Sequence, residues 1–379
     1  MKPIVLLPGG EADADFIYGT GFPLETGLYI RFGEGDDVLV ASALEIDRAR
    51  AQARASKILE MTAAGYEETG FGPTSWARLA AKLLKERGFE GARVSPRLWA
   101  AYLEELRAAD VAVDIDRELF RAERRRKNSE EAGFIHAAQR AAEAAITEVA
   151  RTIASAHEKG GVLHLDGHPL TSERLYARAQ LLLGEIGYSC PDMIVAGSPE
   201  CAMPHYRGEG PIRANAPVIV DIFPGGRASH YHGDLTRTVV FGEVTDEVRR
   251  MYDATCAALD AGIAAIRPGV KGSDVHHSVC QVLLDHGFGT TTKGYEGADG
   301  VAKMNHSTGH GVGLEVHEDP ALRGPNQGTL QEGDVVTVEP GLYKMGLGGV
   351  RVEDTGIVTK DGFKNFTRIT RSLNPKDYL

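Results

Sequence analysis

Between Asp221 and Asp354 the chain gathers carboxylates and imidazoles in five short runs. They are Val220-Asp221-Ile222, His232-Gly233-Asp234-Leu235-Thr236-Arg237, the stretch His306 to Glu318, Val338-Glu339-Pro340-Gly341, and Val350-Arg351-Val352-Glu353-Asp354. If Asp221, Asp234, Glu339 and Glu353 share a pocket, they bring about four negative charges together and repel one another. Two divalent cations would neutralise that charge, and one imidazole would complete the shell. Taken singly, each residue has a plainer explanation. Asp234 could be a turn residue, Glu339-Pro340-Gly341 the tight end of a strand, and a histidine beside glycine a surface residue. Taken together and in this order, they predict a two-metal hydrolytic centre.

On extended runs, residues two apart share a face. Arg351 and Glu353 therefore point one way and Asp354 the other, while His306 and His310 share a parity that His317 lacks. A turn or bulge must intervene if His310 and His317 are to reach one pocket. His276-His277 falls on a predicted helix, where adjacent residues diverge, so no metal site is expected there.

These runs resemble the pita-bread metallopeptidases, the superfamily of methionine aminopeptidase, aminopeptidase P and prolidase. The resemblance rests on the Asp…Asp…His…Glu…Glu order, Gly309-His310-Gly311, Glu339-Pro340-Gly341 and Arg351-Val352-Glu353-Asp354, and it covers the chain from about Arg124 onward. More weakly, Phe16-Ile17-Tyr18-Gly19-Thr20-Gly21-Phe22 resembles the N-terminal domain of the prolidase, aminopeptidase P and creatinase branch. The implied fold class is α/β (α+β): a small creatinase-like domain over residues 1–126, then a pita-bread dinuclear metallopeptidase domain over 127–379.

The resemblance also implies roles. Asp221 would chelate one metal, Asp234 and Glu353 would bridge both, and His310 and Glu339 would complete the second. The catalytic residues would be Glu339 as proton carrier, with His205 and His317 flanking the metals. His306, Arg351 and Tyr231 would contact substrate, Arg351 either reading a substrate carboxylate or bracing a bridging glutamate. The implied activity is hydrolysis of Xaa-Pro bonds in short peptides by a hydroxide bridging two divalent metals, as in an Xaa-Pro dipeptidase. The alternatives are an aminopeptidase P acting on longer peptides, a metal-independent creatinase-type hydrolase and a non-catalytic binding module. Manganese suits the oxygen-rich ligand set, with cobalt or zinc able to substitute. A homodimer is implied, the N-terminal domain of a partner subunit closing the pocket. One departure stands out: Asp221 and Asp234 lie thirteen positions apart, two more than the usual interval, with Tyr231 three before Asp234. The hairpin between them should be longer at its tip, which puts the pocket wall there in doubt.

The elements that must position these residues are legible in outline. With 379 residues the chain has room for two domains. A net charge of -11 argues against nucleic acid as a partner. No apolar run reaches the roughly 18 residues of a membrane span, so no membrane partner is expected. The short apolar run near Met1 does not read as a secretory signal, so a cytoplasmic location is expected. Cys190, Cys201, Cys256 and Cys280 show no CxxC spacing and read as reduced structural thiols.

Strands are predicted at Leu28–Phe32, Asp37–Ala41, Val111–Ile115, Met193–Ala196 and Pro217–Val220. Helices are predicted from Thr74 or Ser75 to Lys85, over Leu98–Ala109, and from a Ser129 cap to about His157. Three more should cover Ser172–Ile186, Asp246–Ile266 and Ser273–His286. The basic run Arg124-Arg125-Arg126-Lys127 reads as a solvated hinge between the domains.

Overall fold

The computed structural model describes residues 2–10 and 12–378. Its chain divides into two compact units, Met1–Arg124 and Arg125–Leu379, the division falling two residues before the expected one.

The first unit is built on six strands: β1 (Ile4–Leu6), β2 (Leu28–Gly33), β3 (Asp36–Ala41), β4 (Lys57–Glu60), β5 (Gly91–Val94) and β6 (Ala112–Ile115). Their order is β4-β3-β2-β1-β5-β6, antiparallel through β1, β2 and β3 and parallel at the other contacts. Parallel neighbours need a crossover. The helix Ile46–Gln52 supplies one between β3 and β4 and the helix Ala100–Ala108 another between β5 and β6, while the helix Ser75–Glu86 leads from β4 to β5. Trp76, Leu79, Ala80 and Leu84 recur at helical spacing and bury one face against Val5, Leu28, Ile30 and Val40 of the sheet. Thr74 precedes that helix without capping it, because its hydroxyl donates to Glu105 at 2.7 Å instead.

The second unit opens with the helix Ser129–Ala154. Its cap is Asn128 rather than the expected Ser129. Asn128 Oδ1 accepts from the Glu130 and Glu131 backbones, and Glu131 Oε2 accepts from the Asn128 backbone at 2.8 Å. The helix ends three residues before His157, which begins a short strand. The preceding basic run is not a solvated hinge. Arg124 pairs with Asp15 at 2.8 Å within the first unit, while in the second Arg125 pairs with Asp334 at 2.7 Å and buried Lys127 with Glu318 at 3.1 Å. Arg124, Arg125 and Lys127 each meet an acid of their own unit and staple local structure, while Arg126 is exposed.

Two halves follow within this second unit. In the first, helices Ser129–Ala154 and Ser172–Glu185 cover a three-stranded antiparallel sheet ordered Ile194–Gly197, Pro217–Ile222, Leu235–Val240. In the second, helices Asp246–Ala265 and Gly272–Asp285 share a core with a four-stranded and a five-stranded sheet. The five-stranded sheet carries Gly309–Gly311, Val335–Val338 and Asp354–Thr359; the four-stranded one carries Gly341–Lys344 and Gly348–Arg351. The long hairpin insert stays outside the main ladder. Pairing runs unbroken from Pro217↔Val240 to Ile222↔Leu235, and the insert's Gly225–Gly226 pairs separately with Tyr188–Ser189.

All four cysteines are free, and Cys190, Cys201 and Cys280 are buried. Among the described residues no helix is long and apolar enough to cross a membrane.

Candidate metal centre

Asp221 sits inside the strand Pro217–Ile222, paired to Thr236, and Asp234 immediately precedes the neighbouring strand. Asp234 is set from behind by the long helix. Gly233 has no Cβ, and one added there would lie 2.6 Å from the backbone of Ala138 and Gln139, so only glycine lets the helix approach this closely. Gln139, fully buried, then accepts the Asp234 backbone N–H at 2.9 Å and donates to Thr367 at 3.0 Å.

The second half brings the rest. His310 lies at the centre of Gly309–Gly311, Glu339 follows Val338, and Glu353 stands between the strands ending at Arg351 and starting at Asp354. Gly309 is needed because a Cβ there would sit 2.1 Å from Thr337 O. The Glu339 N–H donates to Thr308 O at 2.8 Å. Glu353 is held at two points by one residue of the first half: its N–H donates to Thr236 O at 3.1 Å, and its Oε2 accepts the Thr236 hydroxyl at 2.9 Å. Asp354 turns away from the site, as strand parity requires, and pairs with Arg237 and Arg371.

One ligand atom each from Asp234, His310 and Glu353 lies within 4.8 Å of the others. His310 Nδ1 faces the Gly311 carbonyl oxygen at 3.1 Å, and a carbonyl can only accept, so Nδ1 carries the proton. Burial holds this imidazole neutral, its pKa pushed down to about 4. Its Nε2 lone pair therefore points at Asp234 Oδ2 and Glu339 Oε1, both at 3.5 Å. Lone pairs converging on one point are repulsive unless an acid proton or a metal cation lies between them. Two more buried oxygens, Asp221 Oδ1 and Glu353 Oε1, have no hydrogen-bond partner among the described residues. A buried carboxylate oxygen left unpaired is costly, and metal coordination would satisfy both. Burial, followed by repulsion among the acids, drives the Asp234 and Glu353 carboxyls well above the ordinary range; Glu339 is pushed up to about 8 mainly by burial. The donor set fits divalent cations.

Around the cluster the expected residues divide. Arg351 is 3% exposed and committed: Nη2 donates to Asp221, Nη1 to the Tyr343 hydroxyl at 2.8 Å and Pro204 O at 3.3 Å, and Nε to Thr236 at 3.2 Å. It braces Asp221 and not a bridging glutamate. His306 Nδ1 lies 2.7 Å from Ser307 O, so its Nε2 accepts the Tyr343 hydroxyl at 2.9 Å. Burial pushes this imidazole down to about 3, with Arg351 adding to the effect. His317 is folded back by the turn after Gly311, its ring 4.3 Å from that of His310. It is exposed, as is His205, which lies within electrostatic reach of both His306 and His317. Tyr231 stands apart: its hydroxyl donates to Glu131 at 2.8 Å and its ring stacks on Phe134.

Sequence reasoning missed Gln139, Thr236, Arg237 and Tyr343. Arg237 is fully buried and donates to Asp354, to the Glu353 carbonyl and to Thr370 O. A signal existed for two of them. Gln139 interrupts the apolar stripe Ile135, Ala142, Ile146 of its helix, and Arg237 stands inside the buried strand Leu235–Val240; a polar residue on a core face calls for a partner.

With this geometry in place, comparison with known proteins is decisive at the family level. Residues 133–360, more than half of the chain, match the metallopeptidase family M24. The chain belongs to that family. The Xaa-Pro dipeptidase of Lactobacillus delbrueckii subsp. lactis is 36% identical over 186 residues, 48% of this chain and 46% of that protein. The Xaa-Pro dipeptidase of Pyrococcus furiosus is 32% identical over 200 residues, 52% of this chain and 53% of that one. The aligned part thus spans about half the length of these curated relatives. Solved structures agree over nearly the whole fold. An Xaa-Pro dipeptidase from Bacillus anthracis superposes with TM-score 0.82 at 24% identity, covering 98% of this chain and 94% of that one. An X-Pro aminopeptidase from Thermotoga maritima gives 0.81 at 21%, covering 98% and 97%. The mixed α/β, pita-bread fold expected from the sequence is the fold of these structures.

Proposed function

We propose that this M24 protein hydrolyses Xaa-Pro bonds in short peptides as an Xaa-Pro dipeptidase, with two divalent cations held by Asp221, Asp234, His310, Glu339 and Glu353. The observation that carries the metal reading is the His310 Nε2 lone pair aimed at two carboxylate oxygens 3.5 Å away. The dipeptidase names of the sequence relatives support the substrate class. Manganese is favoured by four carboxylates against one imidazole. Bound cations supply Lewis acidity and bring the pKa of water toward neutrality.

The protein's own groups do the rest. Glu339 sits where its carboxylate, deprotonated when cations are bound, can take a proton from the attacking water. It then returns that proton to the proline nitrogen, which as a tertiary amide has no hydrogen of its own. His205 and His317, exposed beside the buried acids, donate hydrogen bonds to the developing oxyanion. Arg351 fixes Asp221 and, through Pro204 O, the segment carrying His205. The relay from Arg351 through Tyr343 to His306 orients the latter ring and leaves none of its nitrogens free.

A cytoplasmic location and a homodimer belong to the same proposal; the four free thiols support the first, and sedimentation checks the second. One observation favours a second reading. Arg351 is already engaged at four acceptors, so it does not read the carboxylate that would limit the enzyme to dipeptides, and longer peptides, as in aminopeptidase P, gain ground. The test strips metal with chelator, restores manganese, cobalt or zinc, and compares kcat/KM for Xaa-Pro, its amide and Xaa-Pro-Yaa. Manganese or cobalt is expected to restore Xaa-Pro cleavage. Full turnover in protein shown metal-free by elemental analysis would defeat the proposal.

A further inference from the structure

Beside His306 opens a chamber of about 710 Å3, within the roughly 300–1,000 Å3 typical of small-ligand sites. One wall is a turn clamped by the two adjacent helix histidines. His276, buried, places Nδ1 2.9 Å from the Thr308 hydroxyl and Nε2 2.7 Å from the Thr292 hydroxyl. His277 faces elsewhere and stacks on Tyr295, with ring centroids 5.7 Å apart and planes at 17°. Between the clamped residues Tyr295 N donates to Thr292 O at 3.0 Å, closing a four-residue turn with Gly294 at φ +90°. A left-handed residue at that corner favours glycine. Lys293 occupies the turn's other corner.

A second cation reaches the chamber from another pinned turn. Arg323 opens it, Asn326 N donates to Arg323 O at 3.0 Å, and the Asn326 side chain donates to Ala321 O at 2.5 Å. Lys293 and Arg323 form no ion pair among the described residues, and the chamber's lining includes no acid. Glu296, on the same loop, accepts the Gly294 N–H at 2.9 Å and lies within electrostatic reach of Lys293 without forming an ion pair with it. In a chain of net charge -11, two exposed cations carried on pinned backbone turns, with no ion pair among the described residues, make a local field for an anion.

The chamber adjoins the candidate centre through its wall. His306 lines it, and the same ring accepts from Tyr343, which is bonded to Arg351 and so linked to Asp221. His276 adds a second link, because Thr308 O also holds the Glu339 backbone. We propose that this chamber is a leaving-side subsite for a carboxylate on the residue after proline, its C-terminus or an acidic side chain, with Lys293 and Arg323 as the readers. The preferred substrates would then be short acidic peptides of the form Xaa-Pro-Yaa. This rests on the second, longer-peptide form of the Xaa-Pro reading above, not on its dipeptidase form, and goes beyond it, since Arg351 is not available for the task.

The experiment compares kcat/KM for Ala-Pro-Gly against its amide, which isolates the terminus, and for Ala-Pro-Glu-amide against Ala-Pro-Gln-amide, which isolates the side chain. In at least one pair the anionic member should be favoured about tenfold, the combined worth of two partly exposed charge contacts. The Lys293→Glu/Arg323→Glu double variant should bring that ratio to about one or below. Because the ratio is taken within each protein, a general loss of stability cancels. Ratios near one in the wild type, or unchanged in the double variant, overturn the subsite. If the metal-loaded protein cleaves Ala-Pro but none of these longer peptides, it is a strict dipeptidase and the subsite is overturned; if it cleaves neither Ala-Pro nor these peptides, the Xaa-Pro reading itself has failed. Calorimetric binding of Pro-Gly against its amide, and of Pro-Glu-amide against Pro-Gln-amide, to wild type and double variant then decides the subsite alone, by the same ratios.

Discussion

The first half of the second unit presents its two aspartates at a continuous antiparallel ladder, whereas the second half presents His310, Glu339 and Glu353 where its strands are interrupted. Asp221 is in register with Thr236, and Asp234 precedes Leu235 by one residue. By contrast, Gly309–Gly311 is three residues long with an irregular register, Glu339 lies past a strand end, and Glu353 falls in a gap. A ladder fixes side-chain direction by backbone hydrogen bonds alone. A strand end does not, so those residues take their positions from elsewhere, Glu353 from Thr236 of the first half and Glu339 from Thr308. The centre is thus a rigid edge against which a more irregular one is held, and either side can be loosened separately.

The strongest way to break the contrast is to remove the residue that both halves hold. Glu353→Ala should lower turnover by at least about 10³-fold, beyond the ~10–100-fold typical for losing a group that merely supports a ligand. It should also leave fewer than two tightly bound metals per chain. Two retained metals by elemental analysis would contradict its place as a bridging ligand. Next come the exposed histidines. His205→Ala and His317→Ala should keep the metals while turnover falls roughly 10²–10³-fold, the usual loss for an oxyanion donor. Wild-type rates would show them to be structural, and lost metal would make one a ligand.

The metal-free protein offers a third test, through pH. The raised carboxyls of Asp234, Glu339 and Glu353 keep protons in the native state that the unfolded chain gives up near 3.8 for the aspartate and 4.5 for the glutamates. Their contribution to stability is therefore present at low pH and is lost as pH rises toward about 8. The depressed imidazoles of His276, His306 and His310 act oppositely, but only below their ordinary value of 6.5. Between pH 6.5 and 8 the carboxyls act unopposed, so chelator-treated protein should melt at progressively lower temperature, while metal-loaded protein should not. A metal-free melting temperature that is flat or rising across that window would mean that the acids are not crowded as described.

The contrast between the halves also marks what the sequence could reveal. Type and order were legible for the cluster, because charge and alternation are written along the chain, and parity alone predicted that Asp354 turns away and that a turn precedes His317. Side-chain partners across the halves were not. Nothing near Arg351 points to Asp221 rather than a glutamate, since the choice depends on how two sheets meet. Nor does the basic run before the long helix show that Arg125 and Lys127 find Asp334 and Glu318, both about two hundred positions away. Capping was misread by one position for a local reason: Asn128 and Ser129 are both good caps, and only the geometry of Glu131 selects the first.

The smallest expected effect bears on how the halves are joined. Arg351 comes from the second half, yet its guanidinium holds Asp221 and Thr236 of the first and also the Tyr343 hydroxyl. Lysine can carry the same charge but offers a single ammonium centre in place of the planar fork, so it cannot serve Asp221, Tyr343 and Thr236 at once. Arg351→Lys should therefore keep both metals and lose roughly 10–100-fold in metal affinity or turnover, as expected for a group that orients a ligand. The position of the loss discriminates between roles. If Arg351 braces Asp221, kcat and metal affinity fall together, and the preference for a free substrate carboxylate over its amide is unchanged. If instead KM for Xaa-Pro rises selectively while KM for the amide stays put, Arg351 is reading the substrate, and the bond to Asp221 is no more than its resting position.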